Sequence, residues 1–461
     1  MLTRLKVRGF KSLEDVDIRF GPLTCIAGVN GVGKSNLFDA IAFLQRLAEM
    51  PILEAVRGVR NSGVASLFTQ TKTARAQTME FEAEMLIEAA VADDFGRPAR
   101  PGATYLRYRL ALQYVPGGDG YAEGIALVSE SLSGLPKAAL AKALGFATSK
   151  AFLTSVHRGA GAVDFIRTDA GEIEVRREQS SGTPLRFAAA QATRTALSLM
   201  NVIDFPTALA LKREMQAWTM LRLELSALRR PDRLDAPNRL SPEGAHLPAT
   251  LERVRNNESI AGQLATLVPD VDDIFVRADP ERRTRTLYLK SRSGVVHEAE
   301  TLSDGMLRFL ALAIVSADTE TSGLICMEEP ENGIHPGRLA LILEQMKRTV
   351  VDPMVAVGAD NPLRQMIVNT HSPLLVQNLL LDELIICHAY RRDGASLSVF
   401  SPLQHTWRDV PGPHGGRTER ALGLGAVFSY LEGVAESAWP PTDKLNIEQV
   451  YKQELQSLVL K

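Results

Sequence analysis

Residues 28–35 read Gly28-Val29-Asn30-Gly31-Val32-Gly33-Lys34-Ser35, a complete G-x-x-x-x-G-K-[ST] pattern. Such a loop works only between a strand and a helix, because its backbone N–H groups must converge on phosphate at a helix N-terminus. The flanks supply both. Cys25-Ile26-Ala27 follows a Gly21-Pro22 turn and reads as the incoming strand. Leu37, Ile41, Leu44 and Ala48 recur at helical spacing within Asn36–Glu49. Lys34 is set to reach the β- and γ-phosphates, and the Ser35 hydroxyl to hold Mg²⁺. A glycine-rich turn matching by chance would need neither flank. The chain is expected to bind a nucleoside triphosphate.

Composition sets outer bounds. A chain of 461 residues can bury one large core or two smaller ones. Its net charge of −2 excludes a globally basic nucleic-acid binder but leaves room for local basic patches. Cys25, Cys326 and Cys387 each sit in an apolar run without metal-ligand spacing, as small buried hydrophobes would in a reducing compartment. No run approaches the ~18 apolar residues of a membrane span, and the start has no apolar signal core. A cytoplasmic protein with no membrane partner is expected.

Along the chain, Leu5–Val7 and Val16–Phe20 alternate as half-buried strands around a turn at Gly9–Ser12. Residues 1–75 are read as the N-terminal part of a nucleotide-binding core. Met79–Met85, Tyr105–Tyr114 and Ile125–Leu132 suggest an antiparallel β-rich subdomain over 76–187, with Pro116–Gly120 as an exposed turn. Residues 188–285 read as a helical insertion, 286–400 as the C-terminal part of the core, and 401–461 as a C-terminal extension. The fold class is α/β, with an antiparallel β layer and a helical insertion. Repeats, low-complexity tracts and sustained heptads are missing.

Three further segments carry chemistry. Leu302-Ser303-Asp304-Gly305-Met306 opens a helix with Met306, Phe309, Leu310, Ala313 and Ile314 on one face. Ser303 fits an N-cap, so this is either an anion-binding helix end or an ordinary capped helix. Leu324-Ile325-Cys326-Met327 is a buried strand ending in Glu328-Glu329. One carboxylate can hold Mg²⁺, directly or through water, while its neighbour polarises an attacking water. Gln365–Thr370 is another strand, closing on His371, which can hydrogen-bond a γ-phosphate or the attacking water.

Together these residues resemble the ATP-binding-cassette class of ATPases, in its RecF/SMC-like branch and its OLD-type relatives. The resemblance is carried by Phe10-Lys11-Ser12-Leu13, the phosphate loop with Asn36, Leu302-Ser303-Asp304-Gly305, Glu328-Glu329-Pro330-Glu331-Asn332-Gly333-Ile334-His335-Pro336 and Thr370-His371-Ser372-Pro373. Leu240–Leu247 adds a weaker match. The resemblance implies a P-loop ABC-type core that binds ATP and Mg²⁺ and hydrolyses ATP between two head-to-tail subunits. It implies nucleotide contacts from Gly28, Asn30, Gly31, Gly33, Lys34, Ser35 and Asn36, and from Ser303, Asp304 and Gly305 across the dimer. It further implies Ser35 and Glu328 at the metal, Glu329 as catalytic base and His371 as the switch histidine. Glu328 stands where Asp is commoner, and Asp304 where transporters have Gly. No glutamine that senses Mg²⁺ is placed; Gln191 is a poor candidate.

About 270 residues separate Lys34 from Ser303, without a coiled-coil seam, which favours the OLD-like group over long SMC proteins. The roughly 90 residues after His371 offer Asp382-Glu383, Asp393 and Asp409 but no Asp-x-Asp, too little for the metal-dependent nuclease domain of full OLD proteins. The expected partners are therefore a second copy of the chain and a separately encoded nuclease or toxin. DNA contact stays open. Arg222/Arg229/Arg230/Arg233 and Arg282/Arg283/Arg285/Lys290/Arg292 could track phosphates or be solvated surface charge. A role in phage defence or in repair follows from the resemblance, as does a slow ATP-bound scaffold.

Overall fold

A computed structural model describes residues 1–60, 63–118, 122–159, 161–179, 182–254, 257–267, 270–318, 320–409, 421–423 and 425–427. The expected turn at 116–120 and most of the extension 401–461 fall at or beyond these limits.

The chain opens with the hairpin β1 (Leu2–Phe10) and β2 (Leu13–Arg19), then β3 (Leu23–Ala27), the phosphate loop and helix α1 (Lys34–Leu47). Next come β4 (Thr78–Leu86), a small ribbon of β5 (Val91–Ala92) and β6 (Pro98–Ala99), β7 (Tyr105–Val115) and β8 (Gly124–Gly134). Then follow β9 (Asp164–Asp169), β10 (Glu172–Val175), β11 (Leu185–Ala188) and β12 (Thr219–Leu221). A second ribbon system comprises β13 (Asp232–Arg233), β14 (Val271–Asp279), β15 (Thr284–Ser291) and β16 (Val296–Glu298). The chain returns through β17 (Gly323–Glu328), β18 (Arg364–Thr370), β19 (Leu384–Arg392) and β20 (Ala395–Pro402).

Two sheets dominate. One has eight strands in the order β11-β10-β9-β8-β7-β4-β1-β2, the other six in the order β12-β17-β18-β3-β19-β20. In the six-stranded sheet β12, β17, β18, β3 and β19 run parallel, and only β20 is antiparallel. Helix α1 fills the space between the sheets. Its Phe38, Phe43 and Leu44 join Phe10 and Phe81 of the eight-stranded sheet in one apolar core. Phe10 packs edge-on to Phe81 with ring centroids 5.6 Å apart. The strand period divides β17 between two cores: Leu324 and Cys326 face α1, while Ile325 and Met327 face the helices Asp304–Ala317 and Leu339–Thr349. Burial on both faces explains the apolar run Leu324–Met327 of β17 and the apolar centre Met366–Val368 of β18, whose buried Gln365 and Asn369 side chains are hydrogen-bonded.

The expected α/β core with an antiparallel layer is present, but its partition differs from the sequence reading. Apart from the small β5–β6 ribbon, the strands of 76–187 do not form a sheet of their own. β4 pairs directly with β1, so that layer extends the hairpin assigned to the core. Nor is 188–285 simply helical. β12 joins the central sheet beside β17, and β13–β15 build a third sheet. Thr219-Met220-Leu221 is too short to show a period; pairing, which is non-local, makes it a strand.

Candidate nucleotide site

Parallel strands send their carboxyl ends to one edge, and ligands of open α/β sheets bind outside that edge. The phosphate loop leaves β3 there, Glu328 closes β17, and Thr370-His371 closes β18 between them. The loop and the paired glutamates are thus two strand spacings apart, about 10 Å. Such a gap suits a triphosphate with a cation and its waters.

Gly31 and Gly33 adopt φ of +84° and +97°, which L side chains rarely tolerate. Nothing would obstruct a Cβ at Gly31, so its use is conformational; a Cβ at Gly33 would collide with the Ser398 and Ser12 hydroxyls. Val29, Asn30 and Gly31 are exposed at the loop tip, while Lys34 is buried. The Lys34 ammonium donates to the carbonyls of Gly28 (2.6 Å) and Val29 (2.8 Å). Burial holds its pKa below that of an ordinary lysine. Beneath the loop lies the β19–β20 hairpin. Cys387 backs onto Gly28, and Ser398 donates to the Val32 carbonyl at 2.8 Å.

On the other side, Glu329 occupies left-handed backbone space at φ +46°, unusual for a long side chain. Its N–H donates to the Asn369 carbonyl (3.0 Å) and side-chain oxygen (3.1 Å), which hold the turn. Its carboxylate accepts from Asn332 Nδ2 at 2.8 Å and from His371 Nδ1 at 3.1 Å. A carboxylate acceptor puts the proton on Nδ1, so Nε2 is left for a ligand. Glu331 accepts from the Thr370 hydroxyl (2.5 Å) and the His371 N–H (3.3 Å), tying the turn to the tip of β18.

Glu328 is engaged from two sides. Arg60 grips it as a fork at 2.5 and 3.2 Å and also reaches Asp39 at 3.0 Å, while Lys11 meets Asp39 at 2.8 Å. Burial alone would depress the Arg60 guanidinium, but these carboxylates raise it above the usual arginine value. Arg222, immediately after β12, approaches Glu328 at 3.5 Å. Among the described residues, no group of three or more His, Cys, Asp or Glu could cage a metal. Ser35 is only half-buried, and its hydroxyl has no protein partner among the described residues. Ser35 and Glu328 are the side chains that would hold Mg²⁺, whose remaining ligands phosphate and water would supply.

Ser303 caps the helix Asp304–Ala317, accepting from the Met306 N–H at 3.4 Å. Asp304 pairs with Arg229 at 2.7 Å and packs on Gly333. Ser303, Asp304 and Gly305 make these contacts rather than any with the chain's own phosphate loop.

Most of the residues in the two basic clusters are ion-paired in the fold. Arg222 turns to Glu328, Arg229 to Asp304 and Arg233 to Asp235. Arg282 pairs with Asp279, Arg285 with Glu252 and Lys290 with Asp272. Both clusters are thus largely paired, in part with neighbours in sequence (Asp235, Asp279) and in part with acids brought close by folding (Glu328, Asp304, Glu252). Sequence reasoning missed Arg60, Asn369 and Ser398, and read Arg222 only as part of a basic cluster. Asn369, just before Thr370-His371, carried a positional hint; Ser398 carried none.

Parts of the chain are similar to known proteins. The family model "AAA domain, putative AbiEii toxin, Type IV TA system" matches residues 216–377, and a second AAA-domain model matches 4–45. An OLD nuclease of Thermus scotoductus is 54% identical over 41 residues, 9% of this chain and 8% of that protein. A DNA replication and repair protein RecF of Magnetococcus marinus is 50% identical over 44 residues, 9% and 12% of the two chains. The match thus spans only about a tenth of the length of these curated relatives. An Smc head crystallised with the C-winged helix domain of ScpA covers 87% of this chain and 98% of its own at TM-score 0.49 and 17% identity. The SMC head domain of Thermotoga maritima gives TM-score 0.39 at 13% identity, covering 87% and 98%. None of the helices among the described residues is long and apolar enough to cross a membrane.

Proposed function

We propose that this chain, an ABC/AAA-type ATPase of the RecF, SMC and OLD kind, binds ATP with Mg²⁺ at the carboxyl edge of its six-stranded sheet and hydrolyses it in a head-to-tail dimer. The supporting observation is the convergence of the lysine loop, Glu328-Glu329 and His371 at three adjacent parallel strand ends. Gly28, Asn30, Gly31, Gly33 and Asn36 shape the phosphate cradle, and Lys34 offsets phosphate charge. Bound Mg²⁺ would supply electrostatic stabilisation of the transferring phosphoryl group. Glu329 accepts the proton of the attacking water. His371, its Nδ1–H committed to Glu329, presents Nε2 towards the γ-phosphate side. Ser303, Asp304 and Gly305, at the N-terminus of the helix Asp304–Ala317, complete the partner's site.

The ATP cycle gates a DNA-linked process, phage defence, through a separately encoded nuclease or toxin in the cytoplasm. The pairing of the basic clusters favours this route over direct DNA tracking by those residues. Glu329→Gln should lower steady-state hydrolysis by about 10²–10⁴-fold while ATP binding persists and an ATP-bound dimer accumulates, read by light scattering after gel filtration. Normal turnover in that variant would remove Glu329 from the base role. Stimulation of wild-type hydrolysis by duplex DNA alone would favour a RecF-like repair role instead.

A further inference from the structure

Ser398 lies on β20, 366 residues from Val32, in a stretch with no recognisable motif. It is nearly fully buried, 3% exposed, directly beneath the phosphate loop. Its hydroxyl contacts the Val32 carbonyl at 2.8 Å and the Ser12 hydroxyl at 2.5 Å; Ser12 in turn is 2.6 Å from Asn36 Nδ2. The Ser398 N–H donates to the Ser12 carbonyl at 2.9 Å, locking the two serines together.

Proton counting fixes the direction of this chain. A carbonyl only accepts, so the single hydroxyl proton of Ser398 goes to Val32. The Ser12 hydroxyl must then donate to Ser398, and Ser12 can only accept from Asn36. A reversed Asn36 amide would claim the Ser12 proton and leave two serine oxygens 2.5 Å apart with no hydrogen between them. The sequence of bonds is Asn36 amide to Ser12 to Ser398 to Val32 carbonyl, each link polarising the next. It starts in the first turn of α1 and ends within the loop, spanning Lys34 and Ser35.

We propose that Ser398 is a positioning residue for the phosphate loop. Holding the Val32 carbonyl down towards the β19–β20 floor turns the N–H of the same peptide, that of Gly33, up towards the phosphates. The contact also accounts for Gly33 itself, whose Cβ would fall on the Ser398 hydroxyl. This inference rests on the triphosphate-site reading above and adds a component remote in sequence from every recognised motif.

The test measures dissociation constants of the full chain for ATP and for inorganic triphosphate, which engages the cradle without a base or ribose. Ser398→Ala should weaken both by about tenfold, and Ser12→Ala, which breaks the same chain from the β1–β2 turn, should do likewise. The double variant should lose little more than either alone, since both remove one cooperative unit. Ser398→Cys, with a weaker donor of similar size, should fall between wild type and Ser398→Ala. Retention of both affinities within twofold in Ser398→Ala and Ser12→Ala would overturn the role, as would losses that multiply in the double variant. If Lys34→Ala abolishes binding while these variants do not, only this inference fails; if wild type binds neither probe, the triphosphate reading fails first.

Discussion

The outer face of the eight-stranded sheet and the carboxyl edge of the six-stranded sheet are both rich in charge, yet they use it in opposite ways. On the outer face, β2, β1, β4 and β7 place acid against base across strands: Arg4 bonds to Asp17, Glu82 and Glu84, Arg8 to Asp15, Arg107 to Glu84, and Arg109 to Glu82. The pairing register itself sets these partners, with Lys6 opposite both Asp17 and Glu82. At the nucleotide edge, satisfaction is incomplete. Lys34 rests on backbone carbonyls, Glu329 sits in left-handed backbone, and Glu331 Oε2 is buried without a partner among the described residues. A surface whose charges answer one another is scaffold. An edge that leaves donors and acceptors uncommitted is where a ligand belongs.

Three substitutions test that contrast. Lys34→Ala should reduce ATP affinity by about 100-fold, because it removes a charge-assisted bond to phosphate. Its melting temperature should fall only slightly, because the loss removes two hydrogen bonds, to the Gly28 and Val29 carbonyls, and no apolar core packing. Unchanged affinity, measured by isothermal titration calorimetry, would break the comparison outright. Glu84→Ala should behave in the reverse sense. Glu84 is 1% exposed and receives Arg4, Arg107 and the Tyr105 hydroxyl, so its removal strands buried cations and should cost about 3–5 kcal/mol. Urea unfolding would read that loss, while ATP affinity of the folded protein should not move. Arg8→Ala, at an ion pair about half exposed on both sides, should change stability by no more than about 0.5 kcal/mol. A larger effect would mean that the exposed end of the ladder acts as one network with its buried end.

Legibility followed the range of the interactions involved. The strand–loop–helix unit was readable because all its determinants lie within about 25 residues: β3 ends at Ala27, as the apolar run implies, and α1 begins at Lys34. The strand of Glu328 was readable because burial on both faces makes Leu324–Met327 apolar throughout, whereas that of His371 showed only the apolar centre Met366–Val368. The Ser303 cap was likewise local, and the structure forms it. What failed was anything depending on a partner elsewhere. β12 was invisible without β17 beside it, and the shared sheet of β1 and β4 looked like two units. The arginine clusters looked unpaired because Glu328, Asp304 and Glu252 approach them only on folding.

From its order of residues alone, this protein was bound to carry a phosphate loop, two adjacent carboxylates closing a buried strand and a histidine closing another, because glycine conformation, apolar periodicity and capping act over a few residues. Their meeting at one edge, the grip of Arg60 and Arg222 on Glu328, and the support of the loop by Ser398 were decided only in three dimensions. Strand order and hydrogen-bond direction arise from contacts between segments hundreds of residues apart, and no local pattern encodes which of those segments will touch.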